Sequence, residues 1–129
     1  PAGGGVTARL AATLGALLSG LAVAAGAFGA HALRARLEPR DLEIFETAAR
    51  YQMYHGLALL AVAWLVTLRA TPAAQAGWAF LAGTLLFSGS LYLMVFTGQR
   101  WLGAVTPLGG VAFLIGWALL AVAARRLVS

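Results

Sequence analysis

Charged side chains leave four long uncharged runs in this chain, residues 10–30, 51–68, 70–99 and 101–124. Each is long enough to cross a hydrocarbon core about 30 Å thick, which takes roughly 20 helical residues. Backbone amides in lipid must be satisfied within helices or closed barrels. Barrel strands alternate polar and apolar residues, and stretches such as "LALLAVAWLV" and "GWALLAVAA" do not. The pattern predicts four transmembrane helices.

Local signals set their boundaries. The first helix is expected over 7–32, with small residues recurring every four positions, Ala12, Ala16, Gly20 and Ala24 on one stripe and Ala22, Gly26 and Ala30 on another. Such stripes let helix backbones approach closely in lipid. In "LEPRDL", Glu38 is placed as an N-cap, Pro39 as the first helical residue, Asp41 in the first turn, and Leu37 with Leu42 as a hydrophobic staple. The second helix, 39–68, then begins as an amphipathic segment on the membrane surface. Thr71-Pro72 and Thr106-Pro107 are each read as an N-cap followed by a first-turn proline. They start helices over 72–96 and 107–124, with "TGQR" as a tight turn and residues 101–105 at the interface. Trp101, Tyr51 and Tyr54 stand where an aromatic belt is expected. The fold class is an all-α four-helix transmembrane bundle, one domain over 1–129.

Composition agrees. Of 129 residues, 61% are hydrophobic and only 10% charged, where a soluble domain carries about a quarter charged residues. The net charge of +5 comes from arginines at helix ends, so it is no argument for nucleic-acid binding; membrane lipids and other membrane subunits, or self-association, are the expected partners. With no cysteine, disulfides and thiolate metal sites are excluded. The "AHA" at 30–32 imitates a signal-peptide cleavage site, but the apolar run before it exceeds the usual 7–15 residues. Even-numbered spans put both termini on one side. Arg9, Arg69, Arg125 and Arg126 fall on that side and Arg34, Arg36, Arg40, Arg50 and Arg100 on the other, so counting basic residues does not decide orientation. If the acids of the first loop offset its arginines, the termini are cytoplasmic, in a bacterial inner membrane.

Projected at 100° per residue, the start of the second helix has two faces. Glu43, Glu46, Thr47, Arg50 and Tyr54 share one, where Glu46 and Arg50 can pair. Leu42, Phe45, Ala48, Ala49, Gln52 and His55 share the other. By depth, His31, Gln52, His55, Ser88 or Ser90, Tyr92 and Thr106 all fall toward one membrane face as a polar cluster under the loop of residues 33–50. Three readings of it stand: polar side chains bridging helices; a histidine-dependent haem, copper, zinc or proton site using His31 and His55; or a partner-docking loop through Arg34, Arg36, Arg40, Glu43, Glu46 and Arg50. No third strong ligand accompanies the histidines, so no cofactor is predicted, with haem or copper as the alternative. No hydrolase elbow, zinc-protease motif or phosphate loop occurs, so no catalytic residue and no enzymatic activity are expected.

The motifs "GAFGAHAL", "FETAARYQMYHGLALL", "LFSGSLYL" and "TPLGGVAFLIGW" resemble, in this order, those of the small membrane proteins called domain of unknown function 423, or the transmembrane protein 256 family. The resemblance covers about residues 10–120. It implies four membrane helices and no established activity, most readily an accessory subunit of a larger membrane assembly. Gly26, Gly29, His31, Arg50, Tyr51, Gln52, His55, Ser88, Tyr92, Pro107 and Gly109 match family motif positions, and no catalytic role comes with them.

Overall fold

The structure, a computed structural model, describes residues 6–128. Four long helices follow one another: α1, Ala8–Leu33; α2, Pro39–Thr67; α3, Ala73–Thr97; and α4, Thr106–Arg125. A 3₁₀ turn, Arg100–Ala104, leads into α4. Among the described residues there is no strand. The sequence predicts these helices at 7–32, 39–68, 72–96 and 107–124.

Their ends show which local signals operate. Thr7 caps α1 from an extended backbone, its hydroxyl accepting from Leu10 N at 3.1 Å. Glu38 occupies the N-cap of α2 ahead of Pro39 but its side chain makes no capping bond. Two expected threonine caps do not form. Pro72 precedes α3 at φ −100° and ψ 48°, and the Thr71 hydroxyl instead receives Arg126 Nη1 at 2.8 Å. Thr106 follows a residue already in helical conformation, because the 3₁₀ turn runs straight into α4, and its hydroxyl turns to Ser90. Gly98, at φ 72°, closes α3 in the left-handed region that a side chain disfavours.

The helices pack in sequence, α1 on α2, α2 on α3 and α3 on α4, and α1 and α4 share no packed interface. The contact stripe of α1 is Ala11, Gly15 and Ala22. Of the two expected stripes, Ala16, Gly20 and Ala24 face outward and Ala12 is half-buried against the core, while Ala22 and Ala30 of the other are buried and Gly26 is exposed. A Cβ on Gly15 would stand 2.7 Å from the Gly56 carbonyl of α2. Glycine there is a requirement of the crossing. Near its outer end α1 widens into a π-helical segment, Ala24–Gly29, before resuming at Ala30.

Three segments are long and apolar enough to cross a membrane: Ala8–Leu33, Ala73–Thr97 and Arg100–Arg125. α2 is not among them, although it packs between α1 and α3 along its length. Gln52 and His55 lower its hydropathy, and both are buried inside the bundle. Large apolar side chains cover the outside instead, among them Leu17, Leu21, Phe28, Leu85 and Leu114.

Candidate functional site

The polar side chains that the sequence gathered into one cluster form separate bridges, each tying helices at its own depth. Gln52 joins three helices. Its Nε2 donates to the Leu18 carbonyl of α1 at 2.8 Å, and its Oε1 accepts from the Tyr92 hydroxyl of α3 at 2.9 Å. The Leu18 oxygen can only accept, so the amide orientation follows from its partners. Ser88, 1% exposed, donates to the Ala48 carbonyl at 2.7 Å and ties α3 to α2. Ser90 shares a hydroxyl–hydroxyl bond of 2.5 Å with Thr106 and ties α3 to α4.

His55 lies deeper. At 1.5 Å per residue it is about 24 Å along α2 from Pro39, near the middle of the bundle and not beside the end where Thr106 sits. Its Nδ1 is 2.7 Å from the Tyr51 carbonyl and its Nε2 3.1 Å from the Trp117 indole nitrogen. A carbonyl can only accept and an indole N–H can only donate, so the ring is the neutral tautomer with its proton on Nδ1. Phe113 lies flat against it, ring centroids 3.5 Å apart and planes within 4°, and Phe80 and Trp117 close the sides. Tyr51, placed by the sequence in an interfacial belt, joins this aromatic stack through Phe87 and Phe113. Trp101 and Tyr54 do face outward.

His31 does not join. It is exposed near the outer end of α1, and among the described residues its ring makes no hydrogen bond or ring contact. The histidines therefore offer no shared ligand pair. The lone pair of His55 Nε2 is engaged by Trp117, so haem or copper ligation there would first have to break that bond. Among the described residues no group of three or more histidine, cysteine or acidic side chains could hold a metal.

Sequence reading missed Trp117 and Phe113, which lay inside an uninterrupted apolar run. Their face was marked by spacing: Gly109, Phe113, Gly116 and Trp117 fall at i, i+4, i+7 and i+8 of one helical stripe. The two glycines are where α4 meets the backbone and Cβ of Phe87, at Gly109, and the ring of Phe80, at Gly116. In the charged lead-in, the one ion pair among the described residues joins Asp41 to Arg100 at 3.8 Å. The expected pair of Glu46 with Arg50 does not form; both line a groove beside the π-helical segment. Arg40 and Glu43 line a second groove, against α3, while Arg34 and Arg36 are exposed.

A family model described as a protein of unknown function, DUF423, matches residues 25–110. The chain belongs to the DUF423 family. Among its relatives, the UPF0382 membrane protein YwdK of Bacillus subtilis is 47% identical over 115 residues, covering 88% of this chain and 94% of that protein. A UPF0382 membrane protein of Staphylococcus aureus is 46% identical over 115 residues, covering 89% and 94%. One from Staphylococcus epidermidis is 47% identical over 113 residues, covering 88% and 93%. No solved structure matches. This DUF423 chain is a membrane protein of an uncharacterised family, and no activity is established for it.

Proposed function

We propose that this protein is a four-pass component of the bacterial inner membrane, its termini cytoplasmic, which acts as a structural or accessory subunit of a larger membrane assembly and not as an enzyme. One observation carries the reading. The buried polar groups of Gln52, His55, Ser88 and Ser90 are bonded to other helices of the same chain, which leaves them spent on holding helices together, and Thr84 bonds back to the Phe80 carbonyl of its own helix. The apolar faces of α1 and α4, by contrast, are broad and uncovered by this chain.

Packing supports four passes. α2 lies lengthwise between α1 and α3, so it crosses wherever they cross, and its polar side chains are tolerated because they bond inward. The charges of this segment, exposed at Arg34, Arg36, Arg40, Glu43 and Arg50 and half-buried at Glu46, supply a second contact surface at the membrane rim.

Two experiments test this. The chain has no cysteine, so single cysteines at positions 36, 69, 99 and 127 report sidedness without background: 69 and 127 should label from the cytoplasm, 36 and 99 from the opposite side. Native mass spectrometry from mild detergent should show a defined complex larger than the monomer, lost when the loop arginines are reversed in charge. A lone monomer in every mild condition contradicts the accessory role.

A further inference from the structure

The groove beside the π-helical segment is built unlike the rest of the surface. It measures about 310 Å³ and is walled by Ala22 and Gly26 of α1 and by Glu46, Arg50, Met53 and Tyr54 of α2. Gly26 leaves it open: a Cβ there would meet only the Ala49 methyl, at 4.0 Å. π-helical segments open a helix locally and recur at functional sites. Arg50 and Glu46 both face this space, and among the described residues neither has an ion-pair partner.

Their order along α2 is informative. Glu46 stands nearest the charged start of the helix, Arg50 one turn below, and Met53 with Tyr54 one turn further into the apolar run; each step is about 6 Å along the axis. Descending from water into a bilayer, the sequence is therefore carboxylate, guanidinium, apolar wall. A phosphoethanolamine lipid descends in complementary order: ammonium, phosphate, acyl chains. Guanidinium binds phosphate with strong, directed hydrogen bonds, and a carboxylate accepts from a primary ammonium. A purely anionic headgroup would set a negative charge beside Glu46, and a trimethylated one has no N–H to donate to it. The second groove, lined by Arg40, Glu43, Ile44, Thr47 and Leu91, reverses the order, with the cation outermost.

We infer that the groove between α1 and α2 binds one phospholipid with a phosphoethanolamine headgroup, its phosphate on Arg50 and its ammonium on Glu46. The inference rests on the membrane-crossing reading of α1 and α2. Alkaline extraction of membranes checks that reading separately, since a protein released from the bilayer fails there before any lipid is tested.

The test is native mass spectrometry of the full delipidated chain in mild detergent, titrated separately with dioleoyl phosphatidylethanolamine, phosphatidylcholine and phosphatidylglycerol. Wild type should retain one phosphatidylethanolamine roughly tenfold more tightly than either of the others, the weight of one charge-assisted hydrogen bond. Glu46→Gln should abolish that preference, Arg50→Gln should lose all three lipids, and Arg50→Lys should keep the preference. Gly26→Leu, which fills the groove without altering charge, should lose phosphatidylethanolamine, and Arg40→Gln should leave it bound. Helix content by circular dichroism identifies any variant that fails to fold. Equal retention of the three lipids by wild type, or undiminished retention in a folded Arg50→Gln variant, overturns the inference. So does full displacement by inorganic phosphate, which would assign a phosphate site alone.

Discussion

The two histidines of this chain stand on helices that pack against each other, and almost nothing else about them is alike. His55 is 3% exposed, with both ring nitrogens bonded and a phenyl ring flat against its face. His31 faces outward near the end of α1, without a partner among the described residues. The difference teaches where polarity is tolerated in an apolar bundle: at the rim, where water is near, or in the interior, where a buried polar side chain is matched by a bonding partner, Ser19 Oγ being the one buried side-chain polar atom among the described residues without one. It also explains how α2, the least apolar long helix by composition, can pack between two others.

The contrast between inside and outside is sharpest for neighbouring glycines of α4. A Cβ at Gly109 would stand 2.7 Å from Phe87 Cβ and closer still to its backbone nitrogen, while at Gly110 nothing lies within 4 Å. Gly109→Ala should destabilise by about 3 kcal/mol through overpacking, and Gly110→Ala by less than about 0.5 kcal/mol, read from reversible unfolding in mixed micelles. Equal effects would erase the distinction.

Next in size come the histidines themselves. His55→Leu strips the acceptor from the Trp117 N–H and should cost about 2 kcal/mol; His31→Leu should stay within about 0.5 kcal/mol. Gln52→Leu should cost about 1 kcal/mol, and Tyr92→Phe added to it should cost almost nothing more, since the two share one bond. The smallest effect belongs to the rim: Asp41→Asn removes a half-exposed ion pair with Arg100 worth less than about 0.5 kcal/mol. A rim substitution that outweighed those in the interior would reverse the ranking.

The helices were legible because uncharged runs and prolines mark them directly. The inward face of α2 was legible too, from the phase of Gln52 and His55 relative to Phe45 and Ala48. The partners of those residues were not. Trp117 is separated from His55 by 62 residues, nearly half the chain, and within an apolar run one aromatic looks like another. In α1 the abundance of alanine and glycine makes several stripes equally small, and only the position of Gly56 on the facing helix selects Ala11, Gly15 and Ala22. The two threonine caps failed for a similar reason. Each hydroxyl found a more distant partner, Arg126 for Thr71 and Ser90 for Thr106, that local sequence does not reveal.

That the interior polar groups serve as bridges is tested most directly by a double-mutant cycle on His55 and Trp117. Unfolding free energies are measured for His55→Leu, Trp117→Phe and the pair together. Bridging predicts a favourable coupling between about 0.6 and 1.7 kcal/mol, the range from average to strongest measured for such bonds in bilayer proteins. Additive single effects, with no coupling, would contradict it.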